Sequence, residues 1–231
     1  EETVTFRSRE AGEGTGVLQA IFGQTMFNYP KPPSVLRQLV EQATALDSIV
    51  VDFFGGSGTA AQAVLEQNVA DGGTRRFILV SSTEATAEEP GKNICRDVCG
   101  PRVKAVIQGF GGNEPTGGDF VYLRTCRVER GRLTKLDHAQ VWAILQLIHG
   151  ETVAPYEERR WQWAGNEEQA LLYVPRFRRE DATALRKQVS QSAGVILYSW
   201  QSELIRQHVP AEHVQFEHLP ESLSRRFGLK G

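Results

Sequence analysis

The sequence predicts an α/β protein, and three observations carry that expectation. An apolar strand, Val50-Val51, delivers Asp52, and Phe53-Phe54 lead into the glycine-rich turn Gly55-Gly56-Ser57-Gly58-Thr59 that opens a helix. Strand-like and helix-like segments alternate from Ala170 to Leu219, the pattern of crossover connections in a small α/β layer with partly parallel strands. The chain has 231 residues, 40% of them hydrophobic, which is enough for one large or two small packed domains.

The elements follow in order. Phe27-Asn28-Tyr29-Pro30-Lys31-Pro32 precedes a helix whose apolar residues Leu36, Leu39, Val40 and Ala43 fall at i, i+3, i+4 and i+7. After the glycine turn and its helix, Asp71-Gly72-Gly73 marks a turn, and Arg75 to Val80 reads as the next buried strand. A helix from about Lys92 to Gln108 places Cys95 and Cys99 on one face, with Ile94, Val98, Val103 and Val106 adding apolar surface. Gly109 to Gly118 is rich in breakers and reads as a loop or linker, after which Phe120-Val121-Tyr122-Leu123 starts a strand. Asp137 caps a helix with the apolar face Val141, Ile144, Leu145 and Ile148. A hairpin-like segment at Trp161-Gln162-Trp163 then leads to strand Ala170–Val174, helix Asp181–Gln191, strand Val195–Trp200, helix Glu203–His208 and strand Val214–Leu219. The domain division expected is 1–117 and 118–231.

The glycine turn carries the chemistry. Glycines let the backbone turn tightly and approach a ligand, and the following helix presents unpaired N–H groups to anionic atoms, so the run reads as a nucleotide-cofactor pocket. By itself it does not choose the cofactor, because Gly56-Ser57-Gly58-Thr59-Ala60-Ala61 also fits the dinucleotide fingerprint. A phosphate-binding P-loop is disfavoured, since the Gly-Lys-[Ser/Thr] that holds a triphosphate and its magnesium is absent.

Taken together, Phe-x-Tyr-Pro-Lys-Pro, Asp-Phe-Phe-Gly-Gly-Ser-Gly-Thr and Asp-Gly-Gly-x-Arg-Arg-Phe-Ile-Leu-Val resemble the β-class N6-adenine DNA methyltransferases, above all the modification subunits of type III restriction–modification systems. The likeness is dense over residues 20 to 107 and thinner beyond. It implies part of a Rossmann-like S-adenosylmethionine-dependent methyltransferase fold followed by a smaller α/β region, a scaffold or dimer contact. It also implies that Tyr29, Lys31, Asp52, Phe54, Gly55, Gly56, Ser57, Gly58 and Thr59 contact S-adenosylmethionine. Chemistry agrees: the cofactor's carboxylate suits backbone N–H groups, Ser57 or Thr59, and its ammonium suits an acid such as Asp52. Glu84, just past Val80-Ser81-Ser82-Thr83, is the candidate acceptor for the ribose hydroxyls, with Glu88 and Glu89 as neighbours that could replace it.

Two departures stand out. Gly55 occupies a position where the family more often has alanine. Far more consequential, the Asp-Pro-Pro-Tyr-like tetrapeptide that these enzymes use to hold the flipped adenine is nowhere in the chain. In the β-class order of motifs that segment and the target-recognition region precede the Pro-Lys-Pro element. The expectation is therefore half an enzyme, as a fragment, remnant or one polypeptide of a split enzyme, inactive alone and without catalytic residues of its own; the missing initiator methionine favours a fragment or processed product.

Composition fits that picture. Lys and Arg number 26 against 28 Asp and Glu, a formal charge of −2, where a self-sufficient duplex-binding enzyme is expected to carry a basic face. The clusters at Arg75-Arg76, Arg159-Arg160, Arg176 to Arg179 and Arg225-Arg226 read as solvated surface. Without a signal segment or an apolar run long enough for a bilayer, the chain is expected to be cytoplasmic. Cys95, Cys99 and Cys126 read as reduced thiols, and the scattered histidines show no metal spacing. Trp161, Trp163 and Trp200 read as core or interface anchors. Expected partners are DNA, through the parts the chain lacks, and a second methyltransferase subunit or a restriction subunit, with a homodimer open. Two rival readings stand beside this one: an NAD-dependent oxidoreductase, resting on the glycine fingerprint and Glu84, and a non-enzymatic module kept for subunit docking.

Overall fold

A computed structural model of the chain describes residues 5–125, 137–150, 152–219 and 221–226; Cys126 lies outside them. The chain divides into two compact units, Glu1–Leu123 and Arg124–Gly231.

In the first unit, helix α1 (Glu13–Phe22) starts after Gly12 and stops at Gly23, whose left-handed backbone turns its N–H back to the Gln19 carbonyl. Helix α2 (Pro33–Ala43) opens with proline at its first position, where the missing N–H costs nothing. Strand β1 (Ile49–Asp52) leads through the glycine turn into α3 (Thr59–Asp71), which ends at the left-handed Gly72. Strand β2 (Arg76–Leu79) pairs parallel with β1 in the register Val50 with Phe77 and Asp52 with Leu79. The βαβ unit anticipated from the glycine turn is therefore present. A helical rod follows in which a π-helical turn, Cys95–Cys99, runs into α4 (Gly100–Gln108).

Helix α3 is the centre of this unit. Its Ala63 and Val64 pack with Val40 and Leu36 of α2, and its Ala61 and Leu65 pack with Val103 and Val106 of α4. Val50, Phe77 and Leu79 reach it from the sheet. A helix buried on nearly every side needs no polar stripe, which is why the amphipathic pattern fades here.

Three expectations are corrected in this unit. The helix at 33–43 was expected to bury Leu36, Leu39, Val40 and Ala43, but it packs on α3 through a narrow seam, so Leu36 and Val40 point inward while Leu39 and Ala43 are exposed. The segment Arg75–Val80 is not a buried strand: Phe77 and Leu79 face α3, whereas Ile78 and Val80, on the other face of the two-stranded sheet, are 50% and 46% exposed among the described residues. Phe120–Leu123 forms no strand, having no neighbouring strand to pair with among the described residues, and Tyr122 instead accepts a hydrogen bond from the Asn93 amide at 3.2 Å.

The second unit opens with α5 (His138–His149), which the Asp137 carboxylate caps by accepting from the Ala139 N–H at 3.2 Å, as its sequence anticipates. Strands β3 (Gln162–Gly165), β4 (Gln169–Tyr173), β5 (Gly194–Ser199) and β6 (Val214–His218) form one sheet in that order. The β3–β4 pair is an antiparallel hairpin and the rest are parallel. Helices α6 (Ala182–Val189) and α7 (Ser202–His208) make the crossovers and pack Leu185 and Ile205 against Leu172 and Leu197 on one face. On the opposite face Trp142 and Leu145 of α5 and Leu223 of α8 (Glu221–Arg226) meet Leu171 and Tyr173. Trp161 and Trp163 pack against the first core and Trp200 against the second. All four tryptophans of the chain belong to this unit.

Candidate cofactor site at the glycine turn

The turn between β1 and α3 is built from short contacts. The Gly58 N–H donates to the Gly55 carbonyl at 2.7 Å, and the Gly55 N–H donates to the Val80 carbonyl at 3.1 Å, tying the bend to the end of β2. Gly58 has φ 82°, and a Cβ there would lie 2.9 Å from the Cys99 sulfur, so conformation and space both require glycine. At Gly55 a Cβ would meet the Leu79 Cβ at 3.1 Å, a tight contact without positive φ. An alanine at this position needs only a small shift.

Asp52, at the end of β1, accepts the Phe54 N–H on Oδ1 at 2.8 Å, which leaves its second carboxylate oxygen for another donor. Helix α3 has no side-chain cap. Among the described residues the N–H groups of Thr59, Ala60 and Ala61 have no hydrogen-bond acceptor, so three donors aim out of the positive end of a thirteen-residue helix.

Ser57 and Thr59 are buried and look inward. Their hydroxyls accept from Arg102 Nη1 at 3.0 and 2.8 Å, and Arg102 Nε donates to Gln62 Oε1 at 2.9 Å. Burial pushes the Arg102 guanidinium down to about 10, with neighbouring Cys99 and Glu66 opposing the shift. Cys99 beneath the turn is pushed up to about 11 by burial and by the neighbouring Cys95; both are free thiols.

The Phe27–Pro32 element lies beside this turn. The Phe27 ring comes within 3.6 Å of where a Cβ on Gly56 would stand. The element is held from behind by α1, whose Gly14 packs so closely on the Pro30 and Lys31 carbonyls that a Cβ would be 2.3 and 2.8 Å from them. Next to it, the buried Glu13 carboxylate accepts the Ser34 N–H at 3.0 Å, the Ser34 hydroxyl at 2.5 Å and the Ser8 hydroxyl at 2.9 Å, so it caps α2. Burial by itself would raise the Glu13 pKa, but the bonds from Ser34, and then from Ser8 and Arg9, outweigh it and hold the group below its ordinary value.

The other candidates stand at the rim. Tyr29 and Phe54 are 90% and 91% exposed, so Tyr29 is no core ring, and Lys31 is exposed. Glu84 is exposed in the loop after β2, and Glu89 next along that loop pairs with Lys92 at 3.6 Å. Tyr29 and Glu84 have φ of 55° and 56°, the two non-glycine residues in the left-handed region among those described. Such backbone is uncommon for side-chain-bearing residues and clusters at ligand clamps. The described clefts of about 610 and 530 Å³ are elsewhere, in the second unit, lined by Arg206 and Phe216 and by Trp161 and Trp163. With Phe53 and Phe54 exposed, the rim of the glycine turn forms a shelf open to solvent.

Sequence reasoning missed Arg102 and Glu13. A signal for Arg102 existed: Ile94, Val98 and Val106 recur at i+4 spacing, and Arg102 is the charged residue inside that apolar stripe. Elsewhere Arg75, read as solvated surface, is buried and paired with Asp71 at 2.9 Å. The basic runs near 159 and 176 carry exposed ion pairs. No helix among the described residues is long and apolar enough to cross a membrane.

Comparison with known proteins finds likenesses over part of the chain. Residues 5–85 match the family model described as DNA methylase, a span that takes in the Phe27–Pro32 element, the turn and Glu84. Among individual proteins, the chain is 35% identical over 133 residues to the Mod subunit of the type III restriction-modification enzyme StyLTI of Salmonella typhimurium, covering 54% of this chain and 20% of that protein. It is 43% identical over 70 residues to the EcoPI Mod subunit of Escherichia phage P1, covering 30% of this chain and 11% of that protein. Similarity to the type II methyltransferase M.KpnI of Klebsiella pneumoniae is 37% over 68 residues, 29% and 16% of the two chains. The resemblance drawn from the motifs is borne out: the chain is similar to a DNA methylase family model, to two type III restriction-modification Mod subunits and to a type II methyltransferase. It spans a fifth or less of the length of these relatives.

Proposed function

We propose that this chain is the S-adenosylmethionine-binding portion of an adenine-N6 DNA methyltransferase of a type III-like restriction–modification system, part of a Rossmann-like domain whose adenine pocket and target-recognition region are supplied by polypeptide outside it. The observation that carries the reading is the meeting of two motifs: the ring of Phe27, which opens the Phe27–Pro32 element, comes within 3.6 Å of where a Cβ on Gly56 would stand, just ahead of a helix with three open N–H donors. Those donors suit the cofactor's carboxylate, and the free oxygen of Asp52 suits its ammonium. Tyr29 and Phe54 offer exposed rings to its base, and Glu84 offers an acceptor for its ribose. When bound, the cofactor supplies an electrophilic methyl group on a sulfonium. What these residues contribute is position, holding that methyl in line for an amine brought from the other half.

The bare sheet face supports the same reading. Parallel sheets are ordinarily covered on both sides, yet Ile49, Val51, Ile78 and Val80 are 46 to 50% exposed. The remainder of the methyltransferase domain is the natural cover, since relatives carry the matching segment within a far longer chain. DNA and a restriction subunit are then partners of the assembled enzyme, and the second unit serves as scaffold or dimer contact.

The test is titration calorimetry of the full chain with S-adenosylhomocysteine, and with NAD in a parallel cell. Binding of the first and not the second is expected; the reverse result transfers the glycine turn to an oxidoreductase, and silence in both leaves a docking module. Tritiated S-adenosylmethionine and adenine-rich DNA should yield labelled DNA only when an amino-terminal Mod half is added. Label from this chain alone overturns the half-enzyme reading.

A further inference from the structure

Arg102 is a buried cation with no acid in contact, its charge supported only at a distance by Glu66 and Cys99. Its side chain is fully buried, and each group that it meets is neutral: the Gln62 amide oxygen at 2.9 Å, the Ser57 and Thr59 hydroxyls at 3.0 and 2.8 Å, and the Ser57 carbonyl at 3.4 Å. Its Nη2 has no hydrogen-bond partner, and it makes no ion pair among the described residues. The acid nearest through bonds, Glu66, is one amide removed: Gln62 Nε2 donates to Glu66 Oε1 at 2.7 Å. A charge taken out of water without a contacting partner is strongly disfavoured, so a fold that retains one is expected to have further compensation arrive from outside.

The place where compensation can arrive is the outer side of the same turn. Ser57 and Thr59 are the residues best suited to cap α3, since serine and threonine oxygens readily accept from the first N–H groups of a helix. Here both are drawn inward by the guanidinium, and the donors of Thr59, Ala60 and Ala61 stay open. One hydroxyl layer thus separates a full positive charge from the positive end of the helix dipole, and the two fields add at the shelf surface.

We infer that Arg102 is a positioning residue that makes this shelf selective for a carboxylate-bearing ligand, serving as the buried counter-charge of that carboxylate while fixing Ser57 and Thr59 away from the helix end. The inference rests on the cofactor reading above. It assigns to a residue outside the glycine turn the discrimination between ligands that keep the amino-acid carboxylate and those that lack it.

The experiment is calorimetric titration of the full chain, as wild type, Arg102→Gln and Arg102→Lys, with S-adenosylhomocysteine and with its decarboxylated analogue, which keeps the amine. Arg102→Gln retains an amide for Ser57 and Thr59 without the charge; Arg102→Lys retains the charge without the fork. Wild type should prefer the carboxylate-bearing ligand by about ten- to a hundredfold, the range of a charge-assisted hydrogen bond. Arg102→Gln should lose most of that preference with little change toward the decarboxylated analogue, and Arg102→Lys should keep part of it. Equal weakening of both ligands in Arg102→Gln assigns a merely structural role and overturns the inference, as does an unchanged preference. If Arg102→Gln fails to fold by circular dichroism, Arg102→Lys decides, and equal affinity for the two ligands in a folded Lys variant overturns it. Wild type binding neither ligand sinks the cofactor reading instead, a result separable from the others.

Discussion

At the scale of single residues, two glycines two positions apart in α1 have opposite uses. A Cβ on Gly14 would collide with the Pro30 and Lys31 carbonyls, whereas a Cβ on Gly16 would meet nothing within 4 Å. Gly16→Ala should therefore raise the urea midpoint, by roughly 0.5–1 kcal/mol of helix propensity and chain entropy, while Gly14→Ala should lower it and weaken S-adenosylhomocysteine binding by displacing the Pro-Lys-Pro element. Glu13 offers a pH test. Its folded pKa is depressed, so its contribution is present above the unfolded value near about 4.3 and is lost as pH falls through the folded one. Glu13→Gln should cost about 1 kcal/mol at neutral pH, the scale of a helix cap, and the gap from wild type should close in acid; a gap independent of pH would remove the carboxylate from the account. Neither residue was legible in the sequence. Glu13 caps a helix that starts twenty residues later, a contact that only tertiary structure creates, and Gly14 looks like an ordinary breaker until the chain that it touches is in place. The turn glycines were legible because their constraint is local.

At the scale of elements, α5 was readable from its aspartate cap and apolar spacing, and so was the alternation of β4, α6, β5, α7 and β6, because each has an apolar face set by its own period. Helix α1 was not, since a segment with glycine at its second and fourth positions has little propensity of its own. Strands β1 and β2 were placed but their burial was misjudged: residues 75–80 are apolar as though covered on both faces, yet Ile78 and Val80 are exposed among the described residues. That mismatch yields a prediction. Val51→Lys combined with Ile78→Lys should leave S-adenosylhomocysteine binding and the unfolding midpoint nearly unchanged, because both positions are exposed. The same pair should abolish complementation by an amino-terminal Mod half, measured as label transferred to DNA; retained transfer would show that the bare face is not where the halves join.

At the scale of the whole molecule, the chain is two units with separate cores, and residues 5–85 of the first match the DNA methylase family model. The α/β character of the second was visible in its alternating pattern, but alternation says what packs and not what binds, so its role was never legible. The distribution of indole rings makes the division measurable. Emission at tryptophan wavelengths arises wholly from the carboxyl-terminal unit, so the amino-terminal unit is optically silent by that probe. Saturating S-adenosylhomocysteine, at a hundred times its dissociation constant, should stabilise the unit that holds it by about 2.7 kcal/mol. Ellipticity at 222 nm should then record a melting step moving upward with ligand while the fluorescence melt stays where it was. Coincident movement of both signals would mean that the units melt as one body. The protein thus carries its own internal reference, a spectator half against which ligation of the other can be read without any added label.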